Sequence, residues 1–141
     1  MSRYASLSDP VTNHEDAFFS AVVNTKFCSL GMVVSTTWTA TYVNVMDGVL
    51  RIYDSKESFE MDPNDSVLTI QLQHGHFATS PKQVFIDQNN DGLANGSGVE
   101  FYAFYLMRDY GIMLPIKELK ISCARKETAD RLCRVIESNA N

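Results

Sequence analysis

The chain has 141 residues, 45% of them hydrophobic, with 12 basic residues against 17 acidic ones and a formal net charge of −5. That length supports one core rather than two, and the acidic balance argues against nucleic acid or simple electrostatic adhesion to anionic lipid. No apolar run approaches the roughly 20 residues of a membrane-spanning helix, and the start Met1-Ser2-Arg3-Tyr4 lacks a secretory signal, so the sequence reads as a cytosolic chain.

Residues 1–10 are small, polar and unpatterned and read as a flexible lead-in to one domain over 11–141. Thr12 with Glu15 matches a capping box, and Phe18, Phe19, Val22 and Val23 follow at helical spacing, which predicts a short amphipathic helix before the sheet. Phe27 to Ser35 reads as a first strand rich in Val and Met around Gly31. Trp38 to Val45 reads as a second strand, and Asp47-Gly48 suits a type I′ hairpin turn because both residues tolerate positive φ. Leu50 and Ile52 then share one face of a third strand.

The polar stretch Lys56 to Asp65, with Asp62-Pro63-Asn64-Asp65 in it, predicts a loop. Alternation resumes with Leu68, Ile70 and Leu72 on one side of a fourth strand, and Gln83 to Ile86 reads as a short one. Val99 to Met107 is aromatic on both faces, Phe101 and Tyr105 against Tyr102 and Phe104, as a central strand covered on both sides would be. In the last strand Leu119, Ile121 and Cys123 point inward and Lys120 and Ser122 outward, after a segment in which Pro115 is expected to limit pairing to an edge. A helix from about Arg125 to Asn139 closes the chain, with Ala129, Leu132, Cys133, Ile136 and Ala140 on one face. Strands ending in one amphipathic helix describe a small barrel plugged at one end.

Chemistry is sparse. Cys28, Cys123 and Cys133 lack CxxC spacing and sit in apolar patterns, as reduced core thiols do. Asp87-Gln88-Asn89-Asn90-Asp91-Gly92 matches the first six positions of a calcium loop, but position 12 is Gly98 rather than glutamate, so a polar loop is the favoured reading. His74-Gly75-His76 offers two imidazoles with no third ligand for zinc and reads as a solvent-facing loop pair. No nucleophile elbow, phosphate-cradling loop or metalloprotease helix occurs, and the acids are scattered, so the sequence predicts a non-catalytic protein without cofactor or metal.

The run from Trp38 to Asp54, a hairpin of two strands about Asp47-Gly48, resembles the second and third strands of a pleckstrin-homology domain, and the strand order with its closing helix extends the likeness over about residues 27–139. The resemblance implies a mainly β fold with α: a seven-stranded barrel or sandwich capped by the C-terminal helix. Leu132 stands where the family usually carries a core tryptophan. Headgroup-binding members place basic residues where this chain has Thr39, Ala40 and Thr41, and no Lys or Arg lies between Lys26 and Arg51, so the usual phosphoinositide site is expected to be lost.

Within that superfamily, the Ser35-Thr36-Thr37-Trp38 entry, the Val45 to Asp54 hairpin and the Leu119 to Cys123 strand are most similar to the inner-membrane-complex sub-compartment proteins of apicomplexan parasites. That likeness implies a non-enzymatic scaffold for protein partners, peripheral on cortical membrane sacs through N-terminal acylation and involved in daughter-cell assembly. The glycine and cysteines of the family's acylation signal are not found before Cys28 in this sequence. The alternative is an atypical phospholipid-headgroup module in which Arg51, Lys56 and Lys82 converge; a third, calcium-responsive reading uses the Asp87 loop.

Overall fold

In a computed structural model, residues 17–35, 37–86 and 98–140 are described. Nine strands among them form one antiparallel sheet: β1 (Phe18–Ser29), β2 (Met32–Val33), β3 (Thr39–Met46), β4 (Val49–Tyr53), β5 (Leu68–Gln71), β6 (His76–Ala78), β7 (Lys82–Ile86), β8 (Val99–Arg108) and β9 (Ile116–Cys123). Two helices join them, α1 (Lys56–Met61) and α2 (Lys126–Asn139). The main path of the sheet runs β5-β4-β3-β1-β9-β8-β6, with β2 attached to β1 and β7 to β8. It curls into a half-barrel, and α2 closes its concave side.

The helix expected over Phe18 to Val23 is instead the first half of β1; Thr12 and Glu15 lie outside the described residues. The spacing of Phe18, Phe19, Val22 and Val23 fits a helix, but Phe19, Ala21, Val23 and Thr25 also alternate, and β-branched residues favour the pleated conformation. The sheet decides between them: β1 pairs with β3 on one side, Phe19 opposite Val45, and with β9 on the other, Thr25 opposite Ile121. Phe19 and Val23 thereby reach the core, 1% and 3% exposed.

The segment expected as a loop over Lys56 to Asp65 begins instead with α1. Ser55 caps it, its hydroxyl accepting from the Ser58 amide at 3.1 Å. Phe59 pins it to the outer face of the sheet, its ring 5.2 Å from that of Tyr42 and 5.1 Å from that of Tyr53. Beyond it, the Tyr53 hydroxyl donates to the Pro63 carbonyl.

The core lies between the concave face and α2, with Val43, Leu50, Phe104, Leu119, Leu132 and Ile136 buried together. Asn139 fixes the helix end to the β3–β4 hairpin: its Oδ1 accepts from the Gly48 amide at 2.8 Å while its Nδ2 donates to the Val135 carbonyl at 2.9 Å. Asp47 and Gly48 take φ of +56° and +78°, as the sequence requires of that turn. The three thiols are free; burial pushes those of Cys123 and Cys133 up to about 12, the latter helped by Glu137.

Candidate functional site

One irregularity in β9 organises the polar chemistry. Leu106 pairs with Leu119 and Met107 with Lys117, so Glu118 is the extra residue of a β-bulge. In a regular strand Lys117 and Lys120, three apart, would face opposite ways. Here both stand over the Tyr105 ring on the outer face, Nζ at 4.6 Å and 5.2 Å from its centre.

Lys120 also reaches the Trp38 ring at 5.4 Å, and Lys26 reaches the same ring at 5.0 Å. Three ammonium groups are thus strung across two aromatic rings. Trp38 itself is 4% exposed and packs with Ile86 and Ala103, covering part of the outer face of β8. Lys26 and Lys120 sit directly opposite each other in the β1–β9 register, an arrangement that repulsion disfavours. Burial, and then the Lys120 charge, hold the Lys26 ammonium below its ordinary value. Attraction to the ring faces offsets part of that repulsion.

Lys82 on β7 completes the set. With Lys120, Tyr105, Ala103, Thr79 and Ser80 it borders a cavity of about 220 Å³ on the same face. The outer positions of β1, β7, β8 and β9 hold these four lysines and no Asp or Glu, because Glu100 lies on the alternate face and the bulge turns Glu118 away. None of the four is ion-paired among the described residues. The Ser122 hydroxyl, fully buried on this face in register with Ala103, has no hydrogen-bond partner there.

The same bulge carries Glu118 to His76, and this overturns the reading of the two histidines as a solvent-facing pair. His74 is exposed, but His76 begins β6 and is 6% exposed. Its Nδ1 accepts from the Gln73 amide at 3.0 Å, which leaves the proton on Nε2 to be donated to Glu118 Oε1 at 2.6 Å. Both ring nitrogens are occupied, so the imidazole braces β6 against β9 and has no lone pair to offer a substrate. The pair lines a second, open cavity of about 490 Å³ between the β1–β2 turn, β5 and the start of β9.

Among the positions nominated from sequence, Thr39 and Ala40 are exposed, whereas Thr41 turns to the core and shares a 3.3 Å contact with the Thr25 hydroxyl. Arg51 lies on β4, Lys56 on α1 beside Glu60 at 4.0 Å, and Lys82 on β7. Between Arg51 and Lys82 stand β3, β1, β9 and β8, about 24 Å of sheet at 4.8 Å per strand, so the structure does not bring these three together. The Asp87 to Gly92 segment lies outside the described residues, and no cluster of three His, Cys, Asp or Glu side chains suited to a metal occurs among the described ones. Lys26, Lys117, Lys120 and Tyr105 were not legible as a set: Lys26 on β1 lies far along the chain from Tyr105 on β8 and the two lysines on β9, and the bulge that aligns them leaves no local sequence mark.

Comparison with protein-family models and with curated protein sequences finds no match.

Proposed function

We propose that this chain is a non-catalytic protein-interaction scaffold on a pleckstrin-homology-like half-barrel, and that the lysine and aromatic face receives an acidic segment of its partner. The observation that carries the reading is the convergence of Lys26, Lys82, Lys117 and Lys120 around Trp38 and Tyr105, with no acid on that face among the described residues, in a molecule of net charge −5. The main strand path and the closing helix support the pleckstrin-homology-like assignment. The inner-membrane-complex likeness supplies the cellular setting: the cortical sacs and daughter-cell assembly.

The shape of the face favours an extended ligand. The lysines are strung over three strands and two rings rather than gathered at one point, so they meet carboxylates spaced along a peptide better than phosphates gathered on one ring. Lysine, a point charge without the bidentate fork of arginine, suits such a ligand. The non-catalytic part of the reading is supported by His76, whose nitrogens are both engaged.

Trp38 is the single tryptophan and reports on the face directly. Titration with a polyglutamate peptide is expected to change its fluorescence, to weaken with salt, and to vanish in a Lys26→Gln/Lys120→Gln variant. A response to soluble inositol phosphate at lower concentration than to the peptide would instead favour the headgroup reading through the Lys82 and Lys120 cavity. Silence toward both would reject the face as an anion site.

A further inference from the structure

The acidity of the chain is concentrated in one place. Residues 54–65, the connection from β4 to β5, hold Asp54, Glu57, Glu60, Asp62 and Asp65 against Lys56 alone, a net −4 in a molecule whose total is −5. All five acids are exposed, at the loop end of the half-barrel, away from the Asn139 clamp. The segment is held in shape: Ser55 caps α1, Phe59 anchors it on Tyr42 and Tyr53, and Asp62 Oδ1 accepts from the Asn64 amide at 3.0 Å. Met61, the last residue of α1, stands among these acids 87% exposed. Its unbranched side chain is of the kind that fills irregular gaps.

This is the chemistry that the lysine face accepts. Lys26, Lys82, Lys117 and Lys120 are not ion-paired among the described residues, and Lys82 and Lys120 border the cavity of about 220 Å³ together with Val84, Ala103 and Tyr105. Within one copy the two surfaces do not meet. α1 is pinned over β3 and β4, β1 lies between β3 and β9, and no acid of residues 54–65 pairs with any of the four lysines among the described residues. Acidic segment and basic face are left to find each other on different copies.

We propose that the acidic partner of the lysine face is a second copy of this chain, docked through its β4–β5 connection. Met61 of one copy enters the cavity between Lys82 and Lys120 of the next, while Glu57, Glu60, Asp62 and Asp65 meet the lysines around it. The inference rests on the reading of that face as an anion site and names its partner. Donor and acceptor are different patches, so the contact is heterologous, and copies add head to tail into a chain or ring rather than stop at two. Carboxylates arriving at the face also relieve Lys26 and Lys120, which oppose each other across β1 and β9. Copies of net charge −5 repel at a distance, but at physiological salt that repulsion is screened beyond about 8 Å, whereas partly buried ions in contact are screened less. Self-assembly of this kind turns one interaction module into an extended scaffold.

The test is sedimentation velocity of the full chain over a wide concentration range at physiological and at high salt. The parent is expected to grow past a dimer as concentration rises and to return to monomer at high salt. An acceptor variant, Lys26→Gln/Lys120→Gln, and a donor variant, Glu57→Gln/Glu60→Gln/Asp65→Asn, should each weaken association about tenfold or more. Mixed in equal amounts, the two variants should form a heterodimer that grows no further, because each supplies the surface the other lacks. Met61→Ala should weaken association about tenfold. The donor variant keeps its lysine face, so its Trp38 should still respond to polyglutamate, which also shows that it is folded. A parent that stays monomeric while its Trp38 answers polyglutamate overturns this inference alone; a parent that does neither loses both readings. Assembly that is indifferent to salt or to either variant, or variants that stay apart when mixed, also overturn it.

Discussion

At the helix end of the half-barrel, Leu132 and Ile136 are wholly buried and the polar atoms at the surface are tied, Gly48 to Asn139 and Phe18 to Arg131. At the loop end the same residue types stand in water, and a leucine occupies a backbone conformation suited to asparagine. The contrast separates residues that hold the fold from residues the fold presents. Stability should therefore respond with opposite signs to polar substitution at the two ends.

The largest expected effect is at the helix end. Leu132→Ala leaves a cavity between α2 and the sheet and should lower unfolding free energy by about 2 to 5 kcal/mol, read from urea denaturation. Asn139→Ala removes the acceptor of the Gly48 amide and should lower it by about 1 kcal/mol. Leu30→Asn should act the other way and raise stability by about 1 kcal/mol, because asparagine accepts positive φ. Ile112→Ser should change it by less than about 0.5 kcal/mol. A loss at Leu30 comparable to that at Leu132 would dissolve the distinction between the ends.

The buried thiol of Cys123 supplies a pH test. Burial raises it from 9.0 to about 12. Below pH 9 the thiol is protonated folded and unfolded, and its stabilising contribution is complete. Between 9.0 and about 12 only the unfolded chain ionises, which draws the equilibrium toward unfolding. The urea midpoint should fall with pH across that window, and more gently in Cys123→Ala.

The Trp38 to Asp54 hairpin, β8 and α2 were legible because each declares itself locally: Asp47-Gly48 marks the turn, the aromatics on both faces of Val99 to Met107 the strand, and the Ala129, Leu132, Ile136 spacing the helix. The start of β1 was not, since Phe18, Phe19, Val22 and Val23 satisfy both periods and only its pairing with β3 and β9 chooses. α1 was hidden because a single apolar anchor, Phe59, attaches an otherwise polar turn to the sheet. The candidate site was least legible of all. Its lysines are scattered in sequence, and the residue that aligns them, Glu118, acts by being one too many.

The placement of β1 also sets the order in which the molecule can assemble during synthesis. β1, β3, β4 and β5 emerge early and pair as neighbours, but β1 waits for β9 on its other side, and the Gly48 amide waits for an acceptor 91 positions further along the chain. Until β9 and α2 leave the ribosome, half a sheet stands with an unpaired edge and a bare apolar face, the condition in which nascent chains associate wrongly. The fourteen-residue α2 is therefore the step that commits this half-barrel, and a stop codon before it would leave a strand-rich fragment in need of a chaperone.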